Sequence, residues 1–312
     1  MKRIEMKRIS LLLILTVICL AGCTSTANDM SIIHTSYGTI SFTQMVKEIK
    51  TVSDSITGRV EIIQRPFAHL RLHRVSYSPD KRYIVGISII NDLLKTKMYA
   101  RPPALVDLQT GEMKQCKAFG DVTSSYAYYG VEEGHHWGIG ATSNQIYIFD
   151  FSTCEIVEKI IEIDEMNLIM GLSWNPEARL LAYGIHISRD FTKEHQDYEL
   201  YVYDYDNGIT TIVAEGISPA WSPDGREIAF FSERGISVID FETNEITTVD
   251  MEYRSVNEGS IQWSADGSGF LFCVYMKNNE GRLDEKIYHY SINDSKLELL
   301  LIGGVDPYWI FE

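Results

Sequence analysis

One short motif, an aromatic strand followed by a Ser-Pro-Asp-Gly type of turn, recurs along this chain and constrains its fold more than any other feature. Four copies align directly, and a short apolar run follows each of them; they occupy residues 75–80, 172–177, 219–224 and 261–266. A fifth copy lies near the end of the sequence, where residues 304–309 align with residues 216–221. Such self-similarity indicates a fold built from one repeated supersecondary unit.

The aromatic positions of these copies set the number of units. The spacings between successive positions are 97, 47, 42 and 46 residues, for Tyr77, Trp174, Trp221, Trp263 and Trp309. Because the first spacing is about twice the others, a degenerate copy is expected near residues 124–129. The sequence therefore predicts six units.

A second signature lies between the copies of the first: a strand, an aspartate, a tight turn and another strand. Its carboxylates are predicted to accept backbone N–H groups in the turn, at Asp107, Asp150, Asp204 and Asp240. The turn also needs a residue with positive φ, and that place is taken by Gly111, Cys154, Gly208 and Asn244. In the first motif a proline presets φ at the second turn position, at Pro79, Pro176 and Pro223. We interpret all of these as structural turn residues.

Each unit is thus predicted to form four antiparallel strands in roughly 45 residues, which is typical of a propeller blade. Residues 216–231, in which Trp-Ser-Pro-Asp-Gly precedes Ile-Ala-Phe, resemble the TolB-like propeller family, and the resemblance covers about residues 73–310. It implies an all-β fold, a β-propeller of six four-stranded blades. The motif is specific for fold and carries little information about function.

The repeats also predict how the ring closes. There are six first strands but only five aspartate-turn hairpins, the last of them a weaker copy at residues 289–295. Residues 31–65 are therefore expected to complete the sixth blade, which gives a Velcro closure of the two ends and removes exposed sheet edges. Candidate strands are residues 32–36, 38–43 and 59–64, although the spacing of apolar residues in 43–52 also fits a short helix.

The first 22 residues are predicted to be a signal peptide rather than part of the fold. A basic start precedes the apolar run 9–20, which is too short to span a bilayer, and the run ends in Leu-Ala-Gly-Cys. This ending resembles a bacterial lipobox, which implies lipidation of Cys23. We therefore expect a signal peptide at 1–22, a lipidated tether at 23–30 and the propeller at 31–312, anchored in the bacterial cell envelope outside the cytoplasm.

Charge and cysteine content exclude some classes of function. The net charge of -15 would be repelled by a phosphate backbone, so nucleic acid is not an expected partner. Beyond Cys23 only three cysteines remain, Cys116, Cys154 and Cys273. Because they are odd in number and widely spaced, the expectation is free, largely buried thiols.

Strand parity sorts the loops of a four-stranded meander onto two faces. The first and third turns are short and share one face, whereas the longer second loops and the links between blades share the other. Loops on a rigid scaffold often carry binding residues, so the long-loop face is the predicted binding surface. Its candidate residues are basic and aromatic: Lys95, Lys97, Tyr99, Arg101, Arg189, Lys193 and His195.

Evidence for chemistry in the sequence is weak. Glu132, Glu133, His135 and His136 have the residue types of a metal or acid–base site. Adjacent strand residues point to opposite faces, however, which disfavours joint ligation. His186 alternates within an apolar strand and is interpreted as a core or channel residue. The sequence has no nucleophile elbow, P-loop or dinucleotide fingerprint, and neither a cofactor nor a metal is predicted.

These observations favour a non-enzymatic lipoprotein, held in the bilayer by Cys23, that binds another protein or an envelope polymer such as a glycan. Two alternatives stay open. One is a propeller-type polysaccharide lyase or hydrolase with a metal in the channel, for which His186, His135 and His136 are the first candidates. The other is a ligand-sensing ectodomain that works with a membrane protein.

Overall fold

The structure is a computed structural model that describes residues 30–43, 50–57, 61–63, 71–89, 102–116, 125–187, 197–251, 255–256 and 261–310. Within these ranges the chain forms strands and turns and contains no helix. The described residues include no helix that is long and apolar enough to cross a membrane.

The strands are numbered in chain order. The N-terminal four are β1 (Met30–Thr35), β2 (Gly38–Thr43), β3 (Lys50–Thr51) and β4 (Glu61–Ile63). The next twelve are β5 (Arg71–Tyr77), β6 (Tyr83–Ile89), β7 (Pro103–Asp107), β8 (Met113–Gln115), β9 (Ser125–Glu132), β10 (His135–Ala141), β11 (Gln145–Asp150), β12 (Glu155–Glu162), β13 (Leu168–Asn175), β14 (Leu180–Ile187), β15 (Asp197–Asp204) and β16 (Ile209–Ala214). The last ten are β17 (Ile217–Trp221), β18 (Glu227–Ser232), β19 (Gly235–Asp240), β20 (Ile246–Asp250), β21 (Ser255–Val256), β22 (Gln262–Trp263), β23 (Gly269–Lys277), β24 (Leu283–Ser291), β25 (Lys296–Ile302) and β26 (Val305–Ile310).

These strands form six antiparallel sheets, which are the blades of a six-bladed β-propeller. Blades 1 to 4 are the meanders β5–β8, β9–β12, β13–β16 and β17–β20. Blade 5 consists of β22–β25, with β21 beside β23 and β3 added at the outer edge of β25. The fold class predicted from the repeats is confirmed, including the degenerate copy, which becomes β9.

Burial within a blade explains the apolar runs of the sequence. The second strand packs between two neighbouring blades, and β14 is buried over six consecutive residues. The fourth strand faces solvent, and the first five residues of β12 are exposed. A strand covered on both faces becomes a continuous apolar run rather than an alternating one.

The first turn of a blade is held by its own serine and aspartate. In blade 4 the Ser222 hydroxyl donates to Asp224 at 2.7 Å and accepts the Glu227 N–H at 2.9 Å. The Gly225 N–H bonds the Ser222 carbonyl at 2.9 Å, with φ at 70°. A Cβ at Gly225 would lie 2.3 Å from Nδ2 of Asn175 in blade 3. Glycine therefore serves both the turn and the close approach of the next blade.

The third turns are organised by the aspartates of the second signature. Asp107 accepts the N–H groups of Gln109 and Thr110 at 2.8 and 3.2 Å. Asp240 accepts those of Glu242 and Thr243 at 2.9 and 2.8 Å. The other two each accept one: Asp150 that of Ser152 at 2.5 Å, and Asp204 that of Asn207 at 3.0 Å. The four positions that follow have φ between 59° and 77°: Gly111, Cys154, Gly208 and Asn244.

The ring closes through strand pairing between the two ends of the described chain. Blade 6 has the order β26-β2-β1-β4, so the C-terminal strand is completed by N-terminal strands. The residues Thr39 and Ile310 pair directly, as do Ile40 and Trp309. The order differs from the meander of the other blades because the second strand of the β1–β2 hairpin, rather than the first, pairs with β26. Residues 44–49 of the alternative helix lie outside the described residues, and Lys50 and Thr51 form a strand.

Side chains reinforce this closure on blade 5. Tyr37, in the turn between β1 and β2, stacks on His289 of β24 with ring centroids 3.8 Å apart. The Tyr37 hydroxyl donates to Glu298 of β25 at 2.7 Å. The other side of the His289 ring meets Trp309 edge-on. Burial lowers the pKa of His289 to about 4.

The expectation of three free thiols is wrong for two of them. Cys116, which follows β8 of blade 1, forms a disulfide with Cys154 in the third turn of blade 2. The two cysteines are 38 residues apart, close to one repeat length, and a propeller brings equivalent positions of neighbouring blades together. Cys273 is a free, buried thiol. Cys154 is thus both a turn residue with positive φ and half of a bond between blades.

We predict that removing this disulfide lowers stability without changing the fold. Closure of a loop of this length stabilises a protein by about 3–4 kcal/mol. Reduction, or the double variant Cys116→Ser/Cys154→Ser, should lower the urea unfolding midpoint, whereas Cys273→Ala should leave the response to reductant unchanged. A denatured but unreduced body starting at residue 24 should react with a thiol reagent at Cys273 alone. Reaction at all three cysteines before reduction would contradict the disulfide.

We also predict that acidification loosens the closure through His289. Because the folded-state pKa is below the ordinary value of 6.5, the unfolded chain binds the proton first as the pH falls. Stability is then complete above pH 6.5 and declines toward pH 4, with a loss of about 2 kcal/mol between pH 6.5 and 5.

Urea titrations between pH 7 and 5 measure this slope. The variant His289→Phe, which keeps a ring against Tyr37, should flatten it. Part of the slope will remain in His289→Phe, because burial also lowers the pKa of His136. Equal slopes in wild type and His289→Phe would show that His289 does not titrate with unfolding.

Candidate functional site

The antiparallel order of the strands places the turns of the propeller on two opposite faces. We call the side that carries the first and third turns of the blades, such as residues 222–227 and 240–244, the turn face. We call the side that carries the second loops and the links between blades, such as residues 163–167 and 215–216, the link face. The short turns predicted from the sequence therefore share one end of the central channel.

A cavity of about 380 Å³ occupies the channel mouth on the turn face. Its walls come from the innermost strands and first turns of blades 1 to 5. Aromatic side chains, two cations and several hydroxyl and amide groups line it, among them Tyr77, Trp174, Trp221, Trp263, Arg74, Lys81, Ser173 and Gln262. We take this channel mouth as the candidate functional site.

Four aromatic residues of the repeat each bind their own blade to the one before it. The indole N–H of Trp263 donates to the Ala220 carbonyl of blade 4 at 2.9 Å. Trp174 and Trp309 donate to carbonyls of the preceding blade at 3.2 and 3.1 Å. The Tyr77 hydroxyl completes the ring by donating to the Trp309 carbonyl at 2.5 Å. These bonds explain why the repeat keeps a side chain with a donor at this position.

Trp221 departs from this pattern. The residue is only 7% exposed. Its indole N–H is buried and has no hydrogen-bond partner among the described residues. Its backbone N–H is held by the Ser173 hydroxyl of blade 3 at 3.0 Å. The Trp221 ring is therefore held in place among the residues that line the cavity, while its indole N–H has no partner in the described chain. A buried donor of this kind costs free energy unless a ligand or water satisfies it.

Each of the three tryptophan rings that line the cavity also packs against another ring of the protein. Trp174 is stacked on Tyr129 with centroids 5.0 Å apart. Trp221 meets Phe241 edge-on at 5.2 Å, and Trp263 lies against Phe270 at 5.0 Å. These contacts hold the tryptophan rings in place and fix the shape of the cavity wall.

A hydrogen bond between blades 5 and 1 runs past blade 6, the blade that closes the ring. The Gln262 amide of blade 5 donates to the Val75 carbonyl of blade 1 at 2.8 Å. This bond passes the inner strand of blade 6 and joins the two blades on either side of it. The geometry of the mouth therefore depends on correct closure.

The charged groups at the mouth are set by the turns. A hydrogen bond from Ser264 holds the pKa of Asp266 at about 2, and one from Ser78 lowers the pKa of Asp80. Both carboxylates therefore stay ionised at neutral pH and are committed to turn hydrogen bonds, which makes them poor proton donors. Burial lowers the pKa of Lys81, whose ammonium lies 5.9 Å from the Tyr77 ring centroid. The mouth can bind polar and charged groups through fixed donors and acceptors.

The histidines considered for a metal site lie apart. The His135 Nδ1 pairs with Asp150 at 2.8 Å, in the blade 2 sheet. His136 turns toward blade 1, with its ring 4.3 Å from that of Tyr83. His186 is buried against Tyr198, with ring centroids 5.2 Å apart. In the part of the chain that the structure describes, no group of three or more potential ligands is close enough to hold a metal ion.

The loop residues predicted as a binding face lie outside the described residues, as does Cys23. They are Lys95, Lys97, Tyr99, Arg101, Arg189, Lys193 and His195. The strand ends that bracket them, Ile89 and Pro103 in blade 1 and Ile187 and Asp197 in blade 3, lie on the link face. That surface stays a prediction. The channel mouth was missed because its residues were interpreted as structural; the aromatic spacing already placed them on one ring.

No family model and no curated protein matches the sequence. Solved structures do share the fold. TolB from Acinetobacter baumannii is 14% identical, covering 90% of this chain and 66% of its own, with a TM-score of 0.57. An oligogalacturonate lyase from Vibrio parahaemolyticus is 16% identical, covering 81% of this chain and 71% of its own, with a TM-score of 0.50.

At these identities the likeness establishes the propeller fold. The chain spans just under two thirds of the length of the TolB chain it matches. The sequence resemblance to TolB-like propellers is supported at the level of fold.

We predict that two matched variants can separate the contribution of the indole hydrogen bonds between blades to stability from the contribution of ring packing. Trp263→Phe removes a ring edge and the indole donor to the Ala220 carbonyl, whereas Trp221→Phe removes a similar edge but no bond within the described structure. Trp263→Phe should therefore lower the free energy of unfolding by about 1–2 kcal/mol more than Trp221→Phe. Urea unfolding of both variants measures the difference. An equal loss, or a larger loss for Trp221→Phe, would contradict the seam hydrogen bonds.

Proposed function

We propose that this protein is a lipid-anchored binding protein of the bacterial cell envelope that receives a segment of a protein partner in its channel mouth. The observation that carries the proposal is the cavity of about 380 Å³, which is walled by inner strands of five blades and lined by aromatic, hydroxyl, amide and cationic side chains. Ligand sites are commonly clefts of this kind, in which a few fixed polar groups lie among apolar ones.

Two features support a location outside the cytoplasm. One is the predicted signal peptide with its lipobox cysteine, Cys23. The other is the disulfide between Cys116 and Cys154, since disulfides persist in oxidising compartments and are rare in the cytosol. The second feature is independent of the first, because it lies in the body of the propeller.

A polypeptide fits the mouth better than a glycan. Sugars are often recognised by packing their apolar faces on flat aromatic rings, and each of the rings of Trp174, Trp221 and Trp263 is already packed against another ring of the protein. An extended peptide carries carbonyl and N–H groups at regular intervals, which match the polar groups that line the cavity, among them Arg74, Ser173 and Gln262. Binding rather than chemistry is favoured because the carboxylates of the first turns beside the mouth, Asp80 and Asp266, are ionised and committed to turn hydrogen bonds.

The proposal predicts that filling the mouth removes partner binding. Ala220 lines the cavity on β17, and Ala220→Trp would occupy part of it. Thr211→Trp adds the same side chain at an exposed position on the outer strand β16 and serves as the matched control. The lipidated, tagged protein is crosslinked in its own membranes and its partners are identified by mass spectrometry.

We expect a dominant protein partner with wild type and Thr211→Trp, reduced at least tenfold with Ala220→Trp. Unfolding curves establish that both variants fold. Retention of the partner by Ala220→Trp, with loss in a Lys95→Glu/Lys97→Glu/Arg101→Glu variant, would move the binding surface to the long loops. Recovery of a glycan and no protein would contradict the proposed class of partner.

A further inference from the structure

The strand order of blade 6, which closes the ring, determines where the N-terminal tether leaves the propeller. The link between β25 and β26 lies on the link face, so Val305 is at that face and Ile310 is at the turn face. β2 runs antiparallel to β26, with Thr43 opposite Val305. β1 runs antiparallel to β2, with Met30 opposite Thr43. The chain therefore enters the propeller at Met30 from the link face.

The tether is too short to reach the opposite face. Only residues 24–29 separate Cys23 from Met30, and a fully extended chain of this length spans at most ~25 Å. Met30 lies inside the blade, since β1 is flanked by β2 on one side and β4 on the other. A path around β4 and along the six residues of β1 to the turn face needs about 30 Å.

We propose that the channel mouth points away from the membrane to which Cys23 is anchored. The link face lies next to the bilayer, and the turn face, with the cavity and Trp221, is presented to the opposite side. The partner of this mouth is then a protein that approaches from across the compartment, rather than a neighbour embedded in the same bilayer. This inference rests on the proposed lipid anchor and adds an orientation to it.

Energy transfer from the protein to labelled lipid headgroups tests the orientation. The full-length lipidated protein is placed in vesicles of neutral phospholipid that contain an acceptor-labelled lipid. Two exposed glutamates near blade 4 give matched donor sites: Glu215, in the link between β16 and β17, and Glu242, in the third turn. Because Cys116 and Cys154 are bonded and Cys273 is buried, the cysteine of each Glu→Cys variant is the reactive thiol of the described body.

We expect transfer from the Glu215→Cys variant to exceed that from the Glu242→Cys variant at least twofold, because the faces are separated by the height of a blade, roughly 20–30 Å. Insertion of a 20-residue Gly/Ser segment after Asp29 should bring the two values together, since such a linker is flexible and long enough to release the body. Equal or reversed transfer from membrane-bound protein without the insertion would overturn the orientation.

Failure of the anchor gives a different result. Cys23→Ser should leave the protein unbound when vesicles are floated on a density gradient, while wild type floats with them. If wild type also stays unbound, the lipid anchor is wrong, and the proposed function and the orientation fall together. If wild type floats and the two donors give equal transfer, the anchor stands and only the orientation is rejected.

Discussion

The pairing of β2 with β26 is the contact on which the rest of this structure depends. Five blades are built from consecutive strands, but the sixth has only one C-terminal strand until the N-terminal hairpin joins it. That pairing places Trp309, which donates to blade 5 and whose carbonyl accepts the Tyr77 hydroxyl of blade 1. This pairing also determines the hydrogen bonds on both sides of blade 6, the hydrogen bond from Gln262 to Val75 and the wall of the channel mouth. It determines the position of Met30 at the link face as well.

The blade seams show that one aromatic position of the repeat both holds neighbouring blades together and lines the channel mouth. The indole N–H groups of Trp174, Trp263 and Trp309 each donate to a backbone carbonyl of the preceding blade. At Trp221 the ring keeps the same place while its donor has no partner within the described chain. The departure at one blade leaves a buried donor without a partner in the described chain, in a residue that lines the channel mouth.

Much of the fold could be predicted because its determinants are local. The spacing of Trp174, Trp221 and Trp263 fixes the blade length, and the six blades with closure by N-terminal strands are as expected. The pairing of Cys116 with Cys154 was missed because it depends on contact between neighbouring blades, which no single repeat contains. The strand order in blade 6 could not be predicted from the sequence either, because either strand of a tight hairpin can pair with β26. The site at the mouth forms only when inner strands from five blades converge.

The most direct test of this account is an engineered crosslink between the two ends of the chain. Thr39 and Ile310 are direct partners in the β2–β26 ladder, so their Cα atoms lie about 5 Å apart, within the range that a disulfide spans. We expect Thr39→Cys/Ile310→Cys to form an intramolecular disulfide on mild oxidation, seen as a linked peptide by mass spectrometry. A Thr39→Cys/Thr211→Cys control should form none. Absence of the intramolecular link, or a link that joins only separate molecules, would contradict closure of the ring by its own N-terminal strand.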